Sequence, residues 1–470
     1  MSIQASSPAV NEVVPVADRT PVPTSAPAQA PVPAAAAAPG RGAVYRFRPL
    51  NIGRMVVWSV FALLLIVAPH VFTSSLALTM LSQMGYAIII CLSYNILLGQ
   101  GGMLSFGHAV YTGLGSFIAI HAMNRASSGD WGIPLVLIPI IGGLGGMFFA
   151  ALLGWVTTKK SGTTFAMITL GVGELVAAMA LMFPGFFGGE GGITTDRVYG
   201  QPLLGITFGP AIEVYYLIAA YCFVCTAAMF AFTGTPLGRM LNAVRDNPER
   251  VAFVGFNTQR VRYMGFVIAG FFAGVGGGLA AINFEIVTAA DSVSVLRSGS
   301  YLLFTFLGGA TFFFGPIIGA VLMVLAMVLL SELTKAWMLY LGLIFLFMVM
   351  YAPGGIASLI MMNLRLAKYG KLGRIIAAYL ALGGTALAAL LGAAAMIEMI
   401  YHLQLNAALG NTLRFLGMAL DVRSASSWLG AGAVLLTGLA LFELVRRQFV
   451  QDWGQIQEEI EHRIQRGEGA

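Results

Sequence analysis

Charged residues are scarce in this 470-residue chain. Asp, Glu, Lys and Arg make up 10% of it, whereas hydrophobic residues make up 58% and the mean hydropathy is +0.83. A soluble domain has about 25% charged residues. The chain is therefore too apolar for a water-soluble core, and lipid must be the solvent for most of it.

Residues that build catalytic or metal centres are also few. The chain has 5 histidines and 3 cysteines, Cys91, Cys222 and Cys225, which all fall in apolar segments. We interpret the C-x-x-C pair as small packing residues and expect no disulfide or metal site, since no further ligand pair follows. No G-x-x-x-x-G-K-[ST] phosphate loop is present, so the chain has no ATP-hydrolysing motif of its own.

The N-terminus lacks the features of a signal peptide. Its first forty residues are rich in proline and alanine, with no basic stretch before an apolar run. Repeated proline blocks helix and sheet, so we predict a disordered cytoplasmic tail over 1–45.

Long apolar runs fill the rest of the chain. The sequence predicts an all-α, polytopic integral membrane protein with about 10 core transmembrane helices plus 2 extra C-terminal ones. The predicted spans are 54–72, 75–98, 103–124, 133–157, 163–183, 211–233, 263–283, 296–313, 315–333, 336–352, 375–400 and 425–445.

The positive charges predict an orientation. With both termini in the cytoplasm and twelve spans, 20 of the 26 lysines and arginines lie inside. The net charge of +6 is scattered among loops, which is typical of membrane topology and not of nucleic-acid binding.

The most informative polar stretch is "TPLGRMLNAVRDNPERVAFVGFNTQRVRYMGF", residues 235–266. It predicts a short helix, a cap and a second short helix, with Asn247 as the cap and Pro248 at the first helical position. Glu249 falls in the first turn, where the helix dipole favours an acid. An ordinary basic loop would need no such caps.

Four motifs resemble those of the permease subunits of branched-chain amino acid ATP-binding-cassette importers, the LivM type. They are "NILLGQGGMLSFGHAVYTGLGSF", "TTFAMITLGVGELVAAM", the 236–281 stretch, and "FLGGATFFFGPIIGAVLM" followed by "YAPGGIASL". The motifs extend over residues 75 to 360, in the order in which the family has them. The resemblance therefore implies a transmembrane permease domain over 50–360. Arg250 and Val251 stand where the wider importer loop motif has two alanines.

The resemblance implies that residues 235–262 form the coupling segment that docks on a cytoplasmic ATPase. It implies no cofactor on this chain, with ATP and Mg²⁺ used by separate ATPase subunits. Implied partners are a second homologous permease and a periplasmic substrate-binding protein, in a bacterial inner membrane. The expected coupling residues are Arg239, Arg245, Asp246, Asn247, Pro248, Glu249 and Gly255.

Glycines and polar residues inside predicted spans are candidates for the translocation pathway or for helix packing. Gly107, Gly113 and Gly115 suit a close helix crossing, because small residues let backbones approach in lipid. Thr169 and Glu174 fall within the fifth span. A mid-span acid must be paired or face water, so Glu174 either bonds to a neighbouring helix or lines the pathway. His108 and His121 are read as packing histidines.

The C-terminus extends beyond the family pattern. We predict an extra transmembrane pair with a basic linker over 361–447 and a cytoplasmic amphipathic tail over 448–470. The tail's apolar face could pack on the ATPase, the membrane surface or a partner. Its residues are Phe449, Trp453, Ile456, Ile460 and Ile464.

Three alternatives stay open at this point. Relatives of this importer class carry urea, amides or aromatic acids, so the substrate is not fixed by this chain. An ion-coupled carrier that uses Glu174 is a second reading, and a membrane enzyme is a third. An enzyme would need clustered carboxylates or histidines at several depths, and the sequence offers one clear mid-span acid.

Overall fold

A computed structural model describes residues 52–129, 132–199, 207–352, 354–370, 372–405, 410–415 and 417–465. The predicted tail over 1–45 lies outside the described residues. The chain divides into two compact units, residues 1–56 and residues 57–470. The described part of the first unit is helical.

Helices dominate the described chain, as the sequence predicts. In chain order they are α1 Ile52–Val71, α2 Ser75–Asn95, α3 His108–Ser127, α4 Ile138–Thr157, α5 Gly162–Met182, α6 Pro184–Phe187, α7 Ala211–Gly234, α8 Pro236–Asp246, α9 Pro248–Phe253, α10 Thr258–Phe284, α11 Ala289–Ser292, α12 Val295–Gly308, α13 Gly315–Leu325, α14 Ser331–Leu333, α15 Trp337–Tyr351, α16 Gly355–Lys368, α17 Leu372–Leu405 and α18 Ala425–Gln465. Ile96–Gln100 and Ala326–Leu330 are π-helical turns that continue α2 and α13.

The membrane-spanning prediction is confirmed. Within the described residues, nine helical segments are long and apolar enough to cross a bilayer, and a bent pair, α15 with α16, makes up to ten. The other two predicted spans correspond to α3, which begins at His108 and not at 103, and to α12, which has only 14 residues. Both have largely buried faces, so protein packing compensates for their shorter or less apolar sequence.

Helix α10 is the most buried span and packs against α3 and α4. Glycines make this crossing possible: a Cβ on Gly115 would lie 2.5 Å from the Cα of Gly274, and one on Gly274 would lie 2.4 Å from the carbonyl oxygen of Gly142. Helices approach this closely in lipid only where side chains are absent. The small-residue prediction for Gly115 thus has a direct structural basis.

Two short antiparallel ladders complete the described structure. Strand β1, Ile193–Thr194, pairs with β2, Ile286–Val287, and β3, Thr412–Phe415, pairs with β4, Met418–Asp421. The first joins the segment after α5 to the end of α10. The second is a hairpin between α17 and α18.

The C-terminal extension is an antiparallel pair of helices. Gly392 lies against Leu435, and Gly438 against Ala389. Thr334, which precedes α15, and Tyr340 of α15 donate hydrogen bonds to Glu398 of α17, which attaches the pair to α15 and the segment before it. Helix α16 occupies the first part of the predicted linker, and the tail is continuous with α18, a helix of 41 residues.

That continuity gives α18 a length of about 60 Å, twice the hydrocarbon thickness of a bilayer. Part of the tail's apolar face is covered by this chain itself, because Ile456 and Ile460 pack with Leu366 and Ile375. This contact answers the packing question that the sequence leaves open for those residues.

Candidate functional site

The predicted helix–cap–helix of the coupling segment is confirmed. The Thr235 side chain accepts a bond from the Gly238 N–H at 3.2 Å at the start of α8. Asn247 ends α8 and caps α9, where its Oδ1 accepts from the Arg250 N–H at 3.0 Å. Pro248 is the first residue of α9 and Glu249 lies in its first turn.

An apolar tip follows α9. Phe253 is 89% exposed, Val254 75% and Phe256 49%. Gly255 has φ +95°, so a residue with a side chain would be strained there. Adjacent large apolar residues exposed on a polar segment mark an interaction surface. Nothing in the sequence pattern alone marks these three residues as exposed, although the run "AFVGF" at 252–256 carries the apolar signal.

A groove of about 380 Å³ lies beside this tip. It is lined by Met240, Ala243, Asp246, Asn247, Arg250, Val251, Val254 and Phe256. Arg239, Glu249 and Arg250 are exposed around it. The groove, tip and charges form one surface, which we call the coupling surface.

Arg245 is partly exposed, and its side chain reaches the turn that follows α2. Its Nη1 donates to the carbonyl oxygen of Gly99, while its Nε donates to Asp246 at 3.0 Å. One turn earlier, the Asn242 amide donates to the Gln100 side chain at 2.7 Å. The coupling segment is therefore seated on the glycine-rich turn between α2 and α3, a contact that the sequence analysis did not predict.

The turn leads into a buried polar cluster. Tyr94 donates to the carbonyl oxygen of Ser105 at 2.7 Å, and the Phe106 N–H donates to Thr169 at 3.1 Å. Ser93 lies 3.0 Å from the buried His108, as a packing histidine would. Three helices, α2, α3 and α5, are thus joined at the start of α3.

The predicted pathway or packing residues divide into two groups. A Cβ on Gly107 would lie 2.4 Å from the carbonyl oxygen of Thr169, and one on Gly113 would lie 2.7 Å from that of Ser292, so both are at close contacts. Glu174 lies on the other side of α5 and is exposed. A bond from Glu174 to a neighbouring helix, one of the two alternatives that the sequence leaves open, is not seen among the described residues.

The opposite end of the bundle carries an ordered cap over residues 184–199. His121 lies 2.8 Å from the carbonyl oxygen of Phe186, and Phe187 packs on Phe117. Arg197 donates to the carbonyl oxygens of Phe208 and Gly209, both at 2.9 Å, and its backbone N–H donates to Glu285 at 2.9 Å.

Charge on this cap is unevenly exposed. Arg197 is held internally, whereas Glu190 and Asp196 are exposed. Burial raises the pKa of Tyr199 to about 12, so the phenol stays neutral at physiological pH. The outward charge of residues 188–199 is therefore acidic.

Among the residues that the structure describes, no three His, Cys, Asp or Glu side chains converge in a way that could hold a metal. The three cysteines are buried and free. The chemistry available at the coupling surface is that of a binding interface, made of apolar contact with a rim of charge.

Comparisons with known proteins agree with this geometry. The profile of a family described as "Branched-chain amino acid transport system / permease component" matches residues 76–353. The chain is 26% identical over 300 residues to the "High-affinity branched-chain amino acid transport system permease protein LivM" of Escherichia coli K12, covering 59% of this chain and 69% of that protein. The Salmonella typhimurium protein of the same name is 25% identical over 303 residues, with the same coverage.

A shorter stretch of the chain is similar to a permease whose name gives a different substrate. The "Guanosine ABC transporter permease protein NupQ" of Bacillus subtilis is 29% identical over 93 residues, covering 20% of this chain and 28% of that protein. No solved structure matches the chain.

The family profile covers more than half of the chain and includes both the coupling surface and the glycine-rich turn. Together with the nine or more apolar helices of the described chain, it makes this a multi-pass inner membrane protein. The chain belongs to the family of permease components of branched-chain amino acid transport systems.

Proposed function

We propose that this chain is one of two permease subunits of an importer that carries branched-chain or other hydrophobic amino acids into the cell. A periplasmic binding protein delivers the substrate, and separate ATPase subunits hydrolyse ATP with Mg²⁺. The coupling surface faces the cytoplasm, as do both termini.

The observation that carries the proposal is the apolar tip beside a groove on a capped helical pair. Phe253, Val254 and Phe256 expose apolar area that a separate protein would bury. Arg239 and Arg250 give it positive charge beside the acidic Glu249 and Asp246, so the rim suits a partner surface of mixed charge. Closure of the ATPase would then push α8 and α9 and tilt the spans attached to them.

The exposed face of α5 supports a pathway shared with a second permease. An acid at membrane depth costs several kcal/mol against lipid unless it is paired or wet. Glu174 is exposed in this single chain, and its helix also exposes Met167 and Leu175. A homologous chain packed near this face, with a water-filled path beside Glu174, would remove that cost.

The acidic cap over 184–199 supports the binding-protein contact. Its ladder and the Arg197 contacts tie the cap to residues 208, 209, 286 and 287, and Glu190 and Asp196 are exposed on it. A fixed charged surface costs less entropy on binding than a flexible loop.

Changing Glu174 separates this proposal from an ion-coupled carrier. We expect Glu174→Gln to retain at least half of the uptake, since glutamine still offers polar contacts to water. Glu174→Leu should lower uptake about tenfold or more, because an apolar side chain dries the path. Uptake of labelled leucine by cells that express the complete complex measures both variants.

The matched control is Glu458→Gln, an acid on the exposed side of α18. An ion-coupled carrier needs a titratable group, so loss of uptake in Glu174→Gln together with sensitivity to an uncoupler would contradict the proposal. Labelled guanosine and urea, added in parallel, identify the cargo.

A further inference from the structure

The side of α8 that contacts the turn after α2 is built differently from the coupling surface. Arg245 is bonded within the chain, to the carbonyl oxygen of Gly99 and to Asp246. The Arg245 and Asp246 charges lie 2.9 Å apart, so little net charge is left for a partner. A docking residue would instead present its charge to solvent, as the exposed Arg239 of α8 does.

Three contacts on this side of α8 meet one short turn. Asn242 bonds to Gln100 at 2.7 Å, and Arg245 bonds to Gly99. Leu241 is fully buried next to Gly101. A Cβ on Gly101 would lie 3.4 Å from the Cδ1 of Leu241. Leu241 and Asn242 lie four and three residues before Arg245, so each is a neighbour of Arg245 on the helix surface.

The turn is shaped to receive the arginine. Gly102 has φ +62°, and a Cβ there would lie 2.7 Å from the Cγ of Arg245. Only glycine combines this backbone conformation with room for the arginine stem. The sequence "GQGG" is therefore matched to Arg245, 143 positions further along the chain.

The turn is also firmly joined to the spans. The Met103 N–H bonds to the carbonyl oxygen of Leu97 at 2.9 Å, and Tyr94 and Ser105 exchange bonds at 2.7 and 3.1 Å. Beyond it, Phe106 bonds to Thr169 of α5 and the Ala109 N–H bonds to Ser298 of α12 at 3.0 Å. A displacement of the turn therefore reaches α2, α3, α5 and α12 through direct contacts.

We propose that Arg245 and the Asn242–Gln100 pair are positioning residues that carry motion of the coupling segment to the spans, and that they do not dock on the ATPase. We call these contacts the inner latch. The latch stays closed throughout the transport cycle, so α8 and the turn move as one body. Thr169 connects it to the helix that carries Glu174. The inference rests on the proposed function, because it assumes that an ATPase pushes α8.

The test compares Arg245→Ala with Arg239→Ala, which changes an arginine on the exposed side of the same helix. The complete complex is purified through a tag on this chain, and copurified ATPase, ATP hydrolysis and leucine uptake in proteoliposomes are measured. We expect Arg245→Ala to retain copurified ATPase within twofold while uptake per ATP hydrolysed falls at least fivefold, with partial rescue by Arg245→Lys. Arg239→Ala should instead lower copurification. Equal loss of copurification in both variants would overturn the latch.

A reversible crosslink gives an independent arm. Gln100→Cys and Asn242→Cys, joined by a short bis-methanethiosulfonate reagent, replace the latch covalently; the native cysteines are buried. With Arg245 intact, we expect the crosslinked complex to keep at least half of its uptake per ATP. In Arg245→Ala the crosslink should restore the uptake per ATP hydrolysed. A reducing agent, which cleaves the crosslink, should lower that ratio again.

Blocked transport in the crosslinked complex would mean that α8 and the turn must separate, which overturns the inference. A wild-type preparation without any ATPase would overturn the proposed function and the latch together. The first result leaves the proposed function standing, so the two failures are distinguishable.

Discussion

Replacing both Phe253 and Phe256 by aspartate is expected to abolish copurification of the ATPase and to lower uptake at least 100-fold. Both aromatic rings are exposed at the tip of the coupling segment, next to the groove. Aromatic anchors of this kind contribute about 2 kcal/mol each or more to an interface, so losing two weakens binding by roughly a thousandfold. The Phe253 ring is almost fully exposed and the Phe256 ring about half exposed, so the chain should still insert.

Two controls accompany this double variant. Phe253→Leu keeps an apolar side chain and should retain most of the ATPase. Val198→Asp places an equal polar change on another exposed apolar residue, in the cap at the opposite end, and should leave copurification unchanged. Wild-type levels of ATPase on the double aspartate variant would contradict the assignment of the coupling surface.

The second large effect concerns folding. Gly277→Val is expected to destabilise the chain by about 3 kcal/mol or more, because overpacking a close helix contact forces the backbones apart. A Cβ at this position would lie 2.0 Å from the carbonyl oxygen of Thr112. The bond from Ser116 to the Gly277 carbonyl oxygen, now 2.9 Å, would be lost with it.

Fluorescence-detected size-exclusion chromatography after stepwise heating measures this loss. Gly383→Val is the matched control, since a Cβ there would meet nothing within 4 Å. An unfolding temperature for Gly277→Val equal to that of the control would show that α3 and α10 are not in close contact.

Local structure and membrane class are what the sequence predicts well. Spans follow from runs of about 20 apolar residues, and the cap at Asn247 follows from the chemistry of a single residue and its successor, Pro248. The close packing at Gly115 follows from the way small residues act in lipid. Each of these depends on neighbours along the chain or on the solvent.

Contacts between distant segments are what the sequence could not reveal. Arg245 looks like one more basic residue of a cytoplasmic loop, because only the fold brings it to Gly99. The same holds for Arg197, which binds carbonyl groups 11 and 12 residues away and orders a glycine-rich cap. Charge patterns specify the side of the membrane but not the partner.

The sequence pattern also could not predict which apolar residues are exposed to solvent. Phe253 and Phe256 fit a helical apolar face equally well, and the end of α9 and the turn at Gly255 decide that they face outward. In the opposite sense, the apolar stripe of the tail looked free to bind a partner, whereas Ile456 and Ile460 pack on α16 and α17. A helical period identifies an apolar face and leaves open what covers it.

Site-directed labelling of Phe253→Cys tests the docking claim most directly. A membrane-impermeant maleimide is added to intact cells, to inverted vesicles stripped of ATPase, and to such vesicles after the ATPase subunits are returned. We predict labelling in the stripped inverted vesicles, little in intact cells, and strong protection once the ATPase is bound. Labelling in intact cells, or labelling that the ATPase does not reduce, would contradict a coupling surface that binds the ATPase inside the cell.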